Sequence, residues 1–567
     1  MKDFFRQLFR LIRLCVSGPG GRIGILYFFV ILGLGFCGLA ISIRMIAWSA
    51  DFYNALQQVN GSEIVKQIGL FAVLTISSAL LFLAGRYLQQ SLQIKWRTVL
   101  TEATLDRWLG NHAHWHLKIQ GETTHGIDNP DQRIAEDCRI FVQRFTGEGL
   151  DLINAIVSVI SYFTLLWGLS TFELSFTVFG TTITIPRYMV WAAPVYVLLS
   201  SYVTHKLGAP LKQLNYRQQQ KESDFRFALT HVRQASEAIA LQKGEAAERK
   251  ILDGFYAEIL KNWRQLIRRD LILGCFTRPY MQTVLRIPMF LALPAFIAGK
   301  LTLGGLMQMA SAFSNVVTTL SWFIFSYKDL AELAAATLRL GQFLDATEGV
   351  KDKQAGIMVN KKEAASVCTK GLCLHNPNNE CILAIPDLTF KEGEHVWIKG
   401  CSGLGKSTFL KAVAGLWPYG RGIIETPANV SCLFLPQHPY LPLNGIHGAA
   451  VYPQNPESFA KTELQALLEY TRINPQRLSH ACNPDSITNT QFSGGEIQRL
   501  SLLRLLANKP KWVFMDEPAS ALDPATERHI FSALRSLLPD TTFIIIAHRP
   551  PVGIGTYREV NLEAATA

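Results

Sequence analysis

The residues GCSGLGKST, Gly400 to Thr408, combine glycines with one lysine and two adjacent hydroxyl side chains. They follow the β-like run HVWIK and precede the helical pattern STFLKAVAGLW. Glycines in such a turn let backbone N–H groups close around phosphates, Lys406 can reach the β- and γ-phosphates, and the Ser407 hydroxyl can ligate Mg²⁺. This predicts a nucleotide site formed by Gly400, Cys401, Ser402, Gly403, Leu404, Gly405, Lys406, Ser407 and Thr408.

A second chemical motif lies in KWVFMDEPASALD, Lys511 to Asp523. Its apolar run is typical of a buried strand, which places Asp516 at the carboxyl end of the strand. A carboxylate there can hold the Mg²⁺ shell, and Glu517 next to it can polarise the attacking water.

Three further segments complete the pattern. Ser493, Gly494 and Gly495 open a long helix, and N–H groups at a helix start can bind a second phosphate. A second phosphate site in one chain predicts that two chains sandwich each nucleotide. Gln437 after the run CLFLP can contact Mg²⁺ or the γ-phosphate, and His548 at the end of the run TTFIIIAH can contact the γ-phosphate, although either alone is more often structural.

In this order the motifs resemble the ATPase domain of ABC transporters. The resemblance assigns Lys406 to the phosphates, Ser407, Gln437 and Asp516 to the metal, and Glu517 to the catalytic base. The resemblance also assigns Gln437 to the family's sensing loop and His548 to its switch. Ser493, Gly494, Gly495 and Asp523 are implied to act across a dimer on ATP and Mg²⁺.

Two departures from the family pattern stand out. Phe492 and Glu496 occupy positions where leucine and glutamine are usual, and the aromatic residue that usually stacks on adenine has no clear counterpart. His375 is the nearest candidate for that contact, so the base preference is left open, GTP included.

Composition indicates a membrane portion joined to a soluble one. The chain has 567 residues, too many for one hydrophobic core, and only 17% are charged against 49% hydrophobic. The net charge of +11 is explained by Lys and Arg collected in cytoplasmic loops. No basic patch interleaved with aromatic residues stands out, so a nucleic-acid partner is not expected.

Six apolar stretches are each near the ~20 residues that cross a bilayer: 23–47, 64–88, 150–170, 188–208, 272–298 and 302–327. Basic residues concentrate before the first stretch and in 86–149 and 205–270, which predicts that both termini are cytoplasmic. The outer loop Thr171–Tyr188 alternates polar and apolar residues and predicts a β-hairpin.

The predicted organisation has four parts. Residues 1–22 form an amphipathic helix on the membrane surface, and 23–345 form a six-span helical domain with an exporter-type fold. Residues 346–366 are a polar linker, and 367–567 form an α/β P-loop ATPase domain.

Motifs in the membrane half resemble one branch of the ABC transporters. This branch contains peroxisomal fatty-acyl half-transporters of subfamily D and bacterial SbmA/BacA-like proteins that take up peptides and cobalamin. The motifs are DFYNALQ (Asp51–Gln57), IKWRTVLTEATLDRWL (Ile94–Leu109), DNPDQRIAED (Asp128–Asp137) and RQASEAIALQKGE (Arg233–Glu245).

The resemblance implies a homodimeric half-transporter of the bacterial inner membrane, driven by ATP and carrying peptides or cobalamin-like hydrophilic cargo. Fatty-acyl or lipid cargo is an alternative within the branch. A non-pumping ATP-gated channel or regulator is an alternative outside it.

Polar residues in the membrane half suggest coupling and cargo roles. Asn129, Pro130 and Gln132 are suited to start a helix through a capping box. The family motif then predicts that this helix, with Arg133, and the motif of Glu237 transmit closure of the ATPase. Arg286, among apolar residues, either faces a cargo cavity, pairs with a neighbouring carboxylate or snorkels toward the membrane surface.

Cys401 within the phosphate loop generates a first prediction. A maleimide should inhibit ATP hydrolysis, and ATP should protect, because the adduct would occupy the phosphate-binding turn. ATPase activity of wild type and Cys401→Ser after maleimide treatment measures this. Equal inhibition of the serine variant would contradict it.

Overall fold

The chain divides into two compact units. In the computed structural model, the described residues are 2–18, 20–121, 129–178, 181–349, 356–363, 365–442, 445–470 and 492–562. The first unit comprises Met1–Leu105 and Asn129–Phe343, and the second comprises Asp106–Asp128 and Leu344–Ala567. Asp128, Gly180 and parts of the predicted linker lie outside the described residues. The predicted boundaries at 22, 345 and 366 stay predictions.

The first unit is helical. Its helices are α1 (Lys2–Ser17), α2 (Gly21–Gln57), α3 (Gly61–Leu109, which continues into the second unit), α5 (Pro130–Gln132), α6 (Cys138–Leu169), α7 (Tyr188–Gln234), α8 (Ser236–Leu241), α9 (Glu245–Ile297), α10 (Leu303–Leu320) and the main part of α11 (Trp322–Gly349). Strands β1 (Glu173–Val178) and β2 (Thr181–Pro186) pair antiparallel, which confirms the predicted hairpin.

Four helical segments of the described residues are long and apolar enough to cross a membrane by length and composition: Gly21–Gln57, Gly61–Ile119, Pro130–Leu169 and Glu245–Ile297. The remaining predicted stretches, 188–208 and 302–327, lie on α7 and on α10–α11. Large apolar side chains such as Phe29, Phe82 and Leu198 are exposed on these helices, as lipid contact requires. Six spans remain a prediction.

The DFYNALQ motif satisfies the start of α10. The Asn54 side-chain oxygen accepts from Gly304 N–H at 3.1 Å, and that of Gln57 accepts from Leu303 N–H at 3.3 Å. The first N–H groups of a helix have no hydrogen-bond acceptor within the helix, so the side-chain amides of Asn54 and Gln57 supply the missing acceptors. A Cβ on Gly304 would lie 2.1 Å from the Ala50 carbonyl oxygen, so only glycine allows this approach.

The segment after Asn129 differs from the predicted capping box. Asn129 has a left-handed backbone (φ 50°) and makes no side-chain hydrogen bond to the helix start. Gln132 instead donates to Glu136 at 3.1 Å, so the predicted box is wrong. Its geometry fails because an N-cap side chain reaches the N–H groups from an extended backbone. Pro130 does stand in the first turn, as expected.

Asp137 is the centre of that motif in the structure. It is buried, and its carboxylate accepts from Arg133 at 3.1 Å and from Arg339 Nε at 2.8 Å. A π-helical turn, Arg133–Asp137, precedes α6 at this point. The Arg339 guanidinium therefore ties the start of α6 to α11, and Arg133 binds the same carboxylate from within the π-helical turn.

One face of the α1 helix packs against the protein, and another face is exposed. Gln7, Leu11 and Cys15, spaced four residues apart, are buried, whereas Phe5 and Phe9 are exposed. Exposed aromatic side chains beside basic ones suit a membrane surface, and the interfacial location of this helix stays a prediction.

The second unit contains two sheets. Its strands are β3 (Ile357–Lys362), β4 (Ser366–His375), β5 (Cys381–Ile385), β6 (Thr389–Lys391), β7 (Val396–Lys399), β8 (Gly420–Pro427), β9 (Cys432–Leu435), β10 (Trp512–Asp516), β11 (Thr542–Ile546) and β12 (Arg558–Asn561). One sheet is parallel, in the order β12-β7-β11-β10-β9, and the other has the order β3-β8-β4-β5 with β6 on β4. Strand β3 forms within the predicted linker because its IMVNKK run pairs with β8.

Helices cover the parallel sheet of the second unit. They are α12 (Lys406–Val413), α13 (Gly445–Val451), α14 (Lys461–Glu469), α15 (Gly494–Asn508) and α16 (Pro524–Leu537). Strand β10 is buried throughout: Trp512 and Phe514 pack in the cluster of Phe409 on α12, and Val513 and Met515 in that of α15. Two covered faces explain why its sequence is continuously apolar.

A short helix from the membrane half of the sequence belongs to the second unit. It is α4 (Ala113–Gly121), which follows the end of α3. Its Trp115 indole N–H donates to the Leu416 carbonyl at 2.9 Å, and the Lys411 ammonium lies 5.4 Å from its ring centre. The helix is thus fixed to the segment that follows the phosphate loop and its helix.

Candidate nucleotide-hydrolysis site

Four parallel strands deliver the predicted site residues to one edge of the sheet. In the register of the sheet, Ile398 of β7 pairs with Ile546 of β11, and Ile546 pairs with Asp516 of β10. Met515 in turn pairs with Leu435 of β9. Residues that follow these strand ends therefore meet at this edge, where ligands bind in open α/β sheets.

The phosphate loop has the expected strand–turn–helix form. Gly403 and Gly405 have φ of 79° and 98°, a left-handed backbone that favours glycine. The Lys406 ammonium is nearly buried and donates to the carbonyls of Gly400 at 2.5 Å and Cys401 at 3.0 Å. Its charge is therefore held inside the turn, while Cys401 itself is exposed, as labelling requires.

Asp516 and Ser407 form the candidate metal site. Burial raises the pKa of Asp516, a hydrogen bond with Ser407 lowers it, and the neighbouring Glu517 charge raises it again. A hydroxyl and a buried carboxylate supply the hard oxygen atoms that Mg²⁺ prefers, and a cation would offset the cost of burying the charge. The residues present fit the ion.

Glu517 is held by two side chains from neighbouring strand ends. Gln437 Nε2 donates to one carboxylate oxygen at 3.1 Å, and His548 Nε2 lies 3.0 Å from the other. Glu517 has a φ of 49°, and its N–H donates to the Ile546 carbonyl at 2.8 Å. The structure thus brings the three predicted catalytic residues together, with Gln437 on the glutamate rather than on the metal donors.

The second predicted phosphate site opens α15. Ser493 is the N-cap residue, and Gly494 and Gly495 begin the helix. The Glu496 carboxylate accepts from both the Ser493 N–H at 2.8 Å and its hydroxyl at 2.9 Å. The unusual Glu496 therefore completes a capping box, a role that sequence reasoning missed although the Ser-x-x-Glu spacing signals it.

Asp523 caps the next helix. Its carboxylate accepts from the N–H groups of Ala525 at 3.1 Å and Thr526 at 3.0 Å, and bonding to Thr526 lowers its pKa. Gln498, which the sequence did not single out, bonds to Ser520 at 2.7 Å and to the Ala521 N–H at 2.9 Å. Buried Gln498 thereby connects α15 to the loop that follows Glu517.

The remaining predicted residues lie elsewhere. Glu237 is exposed in the first turn of α8, and Arg286 is exposed on α9. Among the described residues, no carboxylate lies within ion-pair distance of Arg286. Arg133 pairs with Asp137, so its coupling role stays a prediction. His375 turns its Nε2 toward Cys373 at 3.4 Å.

Comparison with known proteins agrees with the geometry. The family model described as ABC transporter transmembrane region 2 matches residues 11–297, and the one described as ABC transporter matches 383–520. The inner membrane ABC transporter ATP-binding protein YddA of Escherichia coli is 31% identical over 95% of both chains. The human lysosomal cobalamin transporter ABCD4 is 26% identical over 81% of this chain and 78% of its own.

A solved structure shows the fold. The bacterial Atm1-family ABC exporter with ATP bound aligns with a TM-score of 0.68 at 17% identity, over 96% of this chain and 93% of that one. The predicted exporter-type fold, with a helical membrane region and an ATPase domain, is confirmed. The chain therefore belongs to the ABC transporter family, as a half-transporter whose ATP hydrolysis is coupled to membrane transport.

Proposed function

We propose that two copies of this chain form an ATP-driven pump for peptide-like, hydrophilic cargo in a bacterial inner membrane, with both termini cytoplasmic. The observation that carries the cargo class is a charged cavity in the first unit. It has a volume of about 690 Å³, within the usual range for ligand pockets.

The cavity between α2, α3 and α6 presents both charge signs. Arg86 and Arg144 line it together with Glu148 and Asp151. Glu148 is nearly buried, and among the described residues its Oε2 has no hydrogen-bond partner. A buried carboxylate oxygen without a partner is costly, and the exposed carboxylate of Asp151 in the same lining can bind a cationic or N–H group of cargo.

This lining favours a zwitterionic peptide over fatty-acyl cargo. An acyl chain gains by burying apolar surface. Apolar side chains such as Ile31, Leu34 and Phe82 line part of the cavity, but four amide side chains join the charges there: Gln89, Gln93, Gln143 and Asn154. Cobalamin-like cargo, which the name of ABCD4 suggests, is also hydrophilic and is the second candidate.

The ATPase site supports a dimer with divided roles. Lys406 binds the phosphates, Ser407 and Asp516 hold Mg²⁺, and Glu517 accepts the proton of the attacking water. Ser493, Gly494, Gly495 and Asp523 contact the nucleotide of the partner chain. A bound Mg²⁺ supplies charge neutralisation between the phosphates.

A glutamate substitution separates a pump from a gated channel. Glu517→Gln should reduce ATP hydrolysis by about 10²- to 10⁴-fold, because the general base is lost while the side-chain shape is kept. Nucleotide binding should persist, and cargo accumulation in sealed vesicles should stop. Cargo flux that continues with ATP bound would instead indicate an ATP-gated channel.

The shared sites can be tested by mixing variants. Lys406→Ala and Ser493→Arg should each be inactive alone, because each destroys both sites of its own dimer. Co-expressed with two tags and purified through both, the heterodimer keeps one intact site and should regain about half the activity. Two differently tagged Lys406→Ala chains are the control, and an inactive mixed dimer would contradict the shared site.

The cargo class is tested in vesicles with labelled peptide, cobalamin and acyl-CoA. Peptide should be transported, and Asp151→Asn should lower its kcat/KM about tenfold, the effect of losing one charge-assisted contact. Asp253→Asn, at an exposed pair with Arg249 outside the cavity, is the matched control. Acyl-CoA transport insensitive to Asp151→Asn would overturn the proposed cargo.

A further inference from the structure

A cluster of two thiols and an imidazole lies on the β4–β5 hairpin of the second unit. The Cys373 sulfur is 2.9 Å from that of Cys381 and 3.4 Å from His375 Nε2. The three donor atoms all lie within 4.8 Å of one another. We propose that Cys373, His375 and Cys381 bind a thiophilic metal ion, Zn²⁺ being the ion of choice.

The imidazole is oriented for coordination. His375 Nδ1 lies 3.0 Å from the Asn379 side-chain oxygen, which accepts the Nδ1 proton and leaves the Nε2 lone pair facing the sulfur atoms. Metal-binding histidines usually donate their second N–H to an oxygen in this way. The turn itself is fixed, since the Glu380 N–H donates to the Asn376 side-chain oxygen at 2.9 Å.

The distances suit a tetrahedral ion. Bonds of about 2.3 Å to sulfur and about 2.0 Å to nitrogen place these ligand atoms roughly 3.6 Å apart, close to the 3.4 Å observed for Cys373 and His375. Two sulfur ligands would stand roughly 3.8 Å apart. Cys381 therefore has to withdraw slightly, and its exposed side chain is free of the packing that holds Cys373.

The donor set selects the ion. Two thiolates and one imidazole favour Zn²⁺ over Mg²⁺ or Ca²⁺, which take oxygen ligands. Three protein ligands leave the fourth position open, unlike closed structural zinc sites. The ion should accordingly exchange with solution rather than be locked in the fold.

An ion has to displace the thiol proton of Cys373, because the surroundings favour the protonated thiol. Burial raises the pKa of Cys373, the adjacent Cys381 raises it further, and Arg421 opposes both. A coordinated cation deprotonates such thiols outright. A disulfide between the two cysteines would give the aligned imidazole nitrogen no role, so the third donor favours a metal.

The cluster adjoins the phosphate loop. The side chain of Ile382, the residue after Cys381, packs directly against Gly405 of the phosphate loop. A Cβ added to Gly405 would lie only 2.8 Å from that side chain. The His375 carbonyl accepts from the Trp417 indole at 3.0 Å. An ion here would join β4 to β5 directly behind the nucleotide turn, whatever cargo the transporter carries.

The test uses the reduced, chelator-treated full-length chain in detergent. Titration with Co²⁺ should produce sulfur-to-metal charge-transfer absorption, and Zn²⁺ should abolish it by displacement. Equilibrium dialysis against Zn²⁺ should give about one bound ion per chain, the stoichiometry of a single three-ligand site. Added Zn²⁺ should also raise the melting temperature, because an ion that binds only the folded state stabilises it.

Variants locate the site. Cys381→Ser and His375→Ala should each remove the absorption, and Asn379→Ala should weaken Zn²⁺ affinity about ten- to hundredfold, as for other lost histidine partners. Cys368→Ser on the same strand and Cys432→Ser on β9 are matched controls that should change nothing. Absence of metal binding by the reduced chain, or binding that survives Cys381→Ser, would overturn the proposal. Both measurements are independent of ATP hydrolysis, so they do not depend on the proposed transport function.

Discussion

The parallel register of β7, β11, β10 and β9 is the constraint on which the hydrolytic site depends. Each strand ends within a residue of its neighbours, so the phosphate loop, Gln437, Glu517 and His548 meet although about 150 residues separate the first from the last. Backbone hydrogen bonds set this register, and the buried, alternating faces of β10 fix it, because a slip by one residue would exchange its two cores. The catalytic geometry is therefore a property of the sheet rather than of flexible loops.

Two residues at that edge of the sheet are held in energetically unfavourable states. Glu517 holds a left-handed backbone that costs of order 1 kcal/mol for a side-chain-bearing residue, and Asp516 is a carboxylate in a buried position. Surrounding contacts sustain both: the Ile546 carbonyl fixes the Glu517 N–H, and Ser407 bonds to Asp516. A nucleotide with its cation relieves the buried charge, so binding and order at this edge reinforce each other.

The sequence predicted the features whose signals are local. The glycine-rich turn, the apolar strand before Asp516 and the β1–β2 hairpin each follow from neighbouring residues and are found. The predicted capping box fails because Asn129 takes a left-handed backbone, which residue type alone does not reveal. The Trp115 hydrogen bond was not predicted, because its partner carbonyl lies 301 residues away. The thiol cluster likewise depends on the register shift between β4 and β5, which no spacing rule anticipates.

The capping box at Ser493 has an energetic consequence for the paired state. The Glu496 carboxylate lies 2.9 Å from the hydroxyl that a partner's γ-phosphate would approach, and it already receives that hydroxyl's proton. An arriving phosphate meets a like charge and a donor that is already engaged, whereas a neutral amide at this position would present neither obstacle. In the proposed dimer, the Glu496 charge would therefore oppose the approach of a partner's γ-phosphate to this helix start.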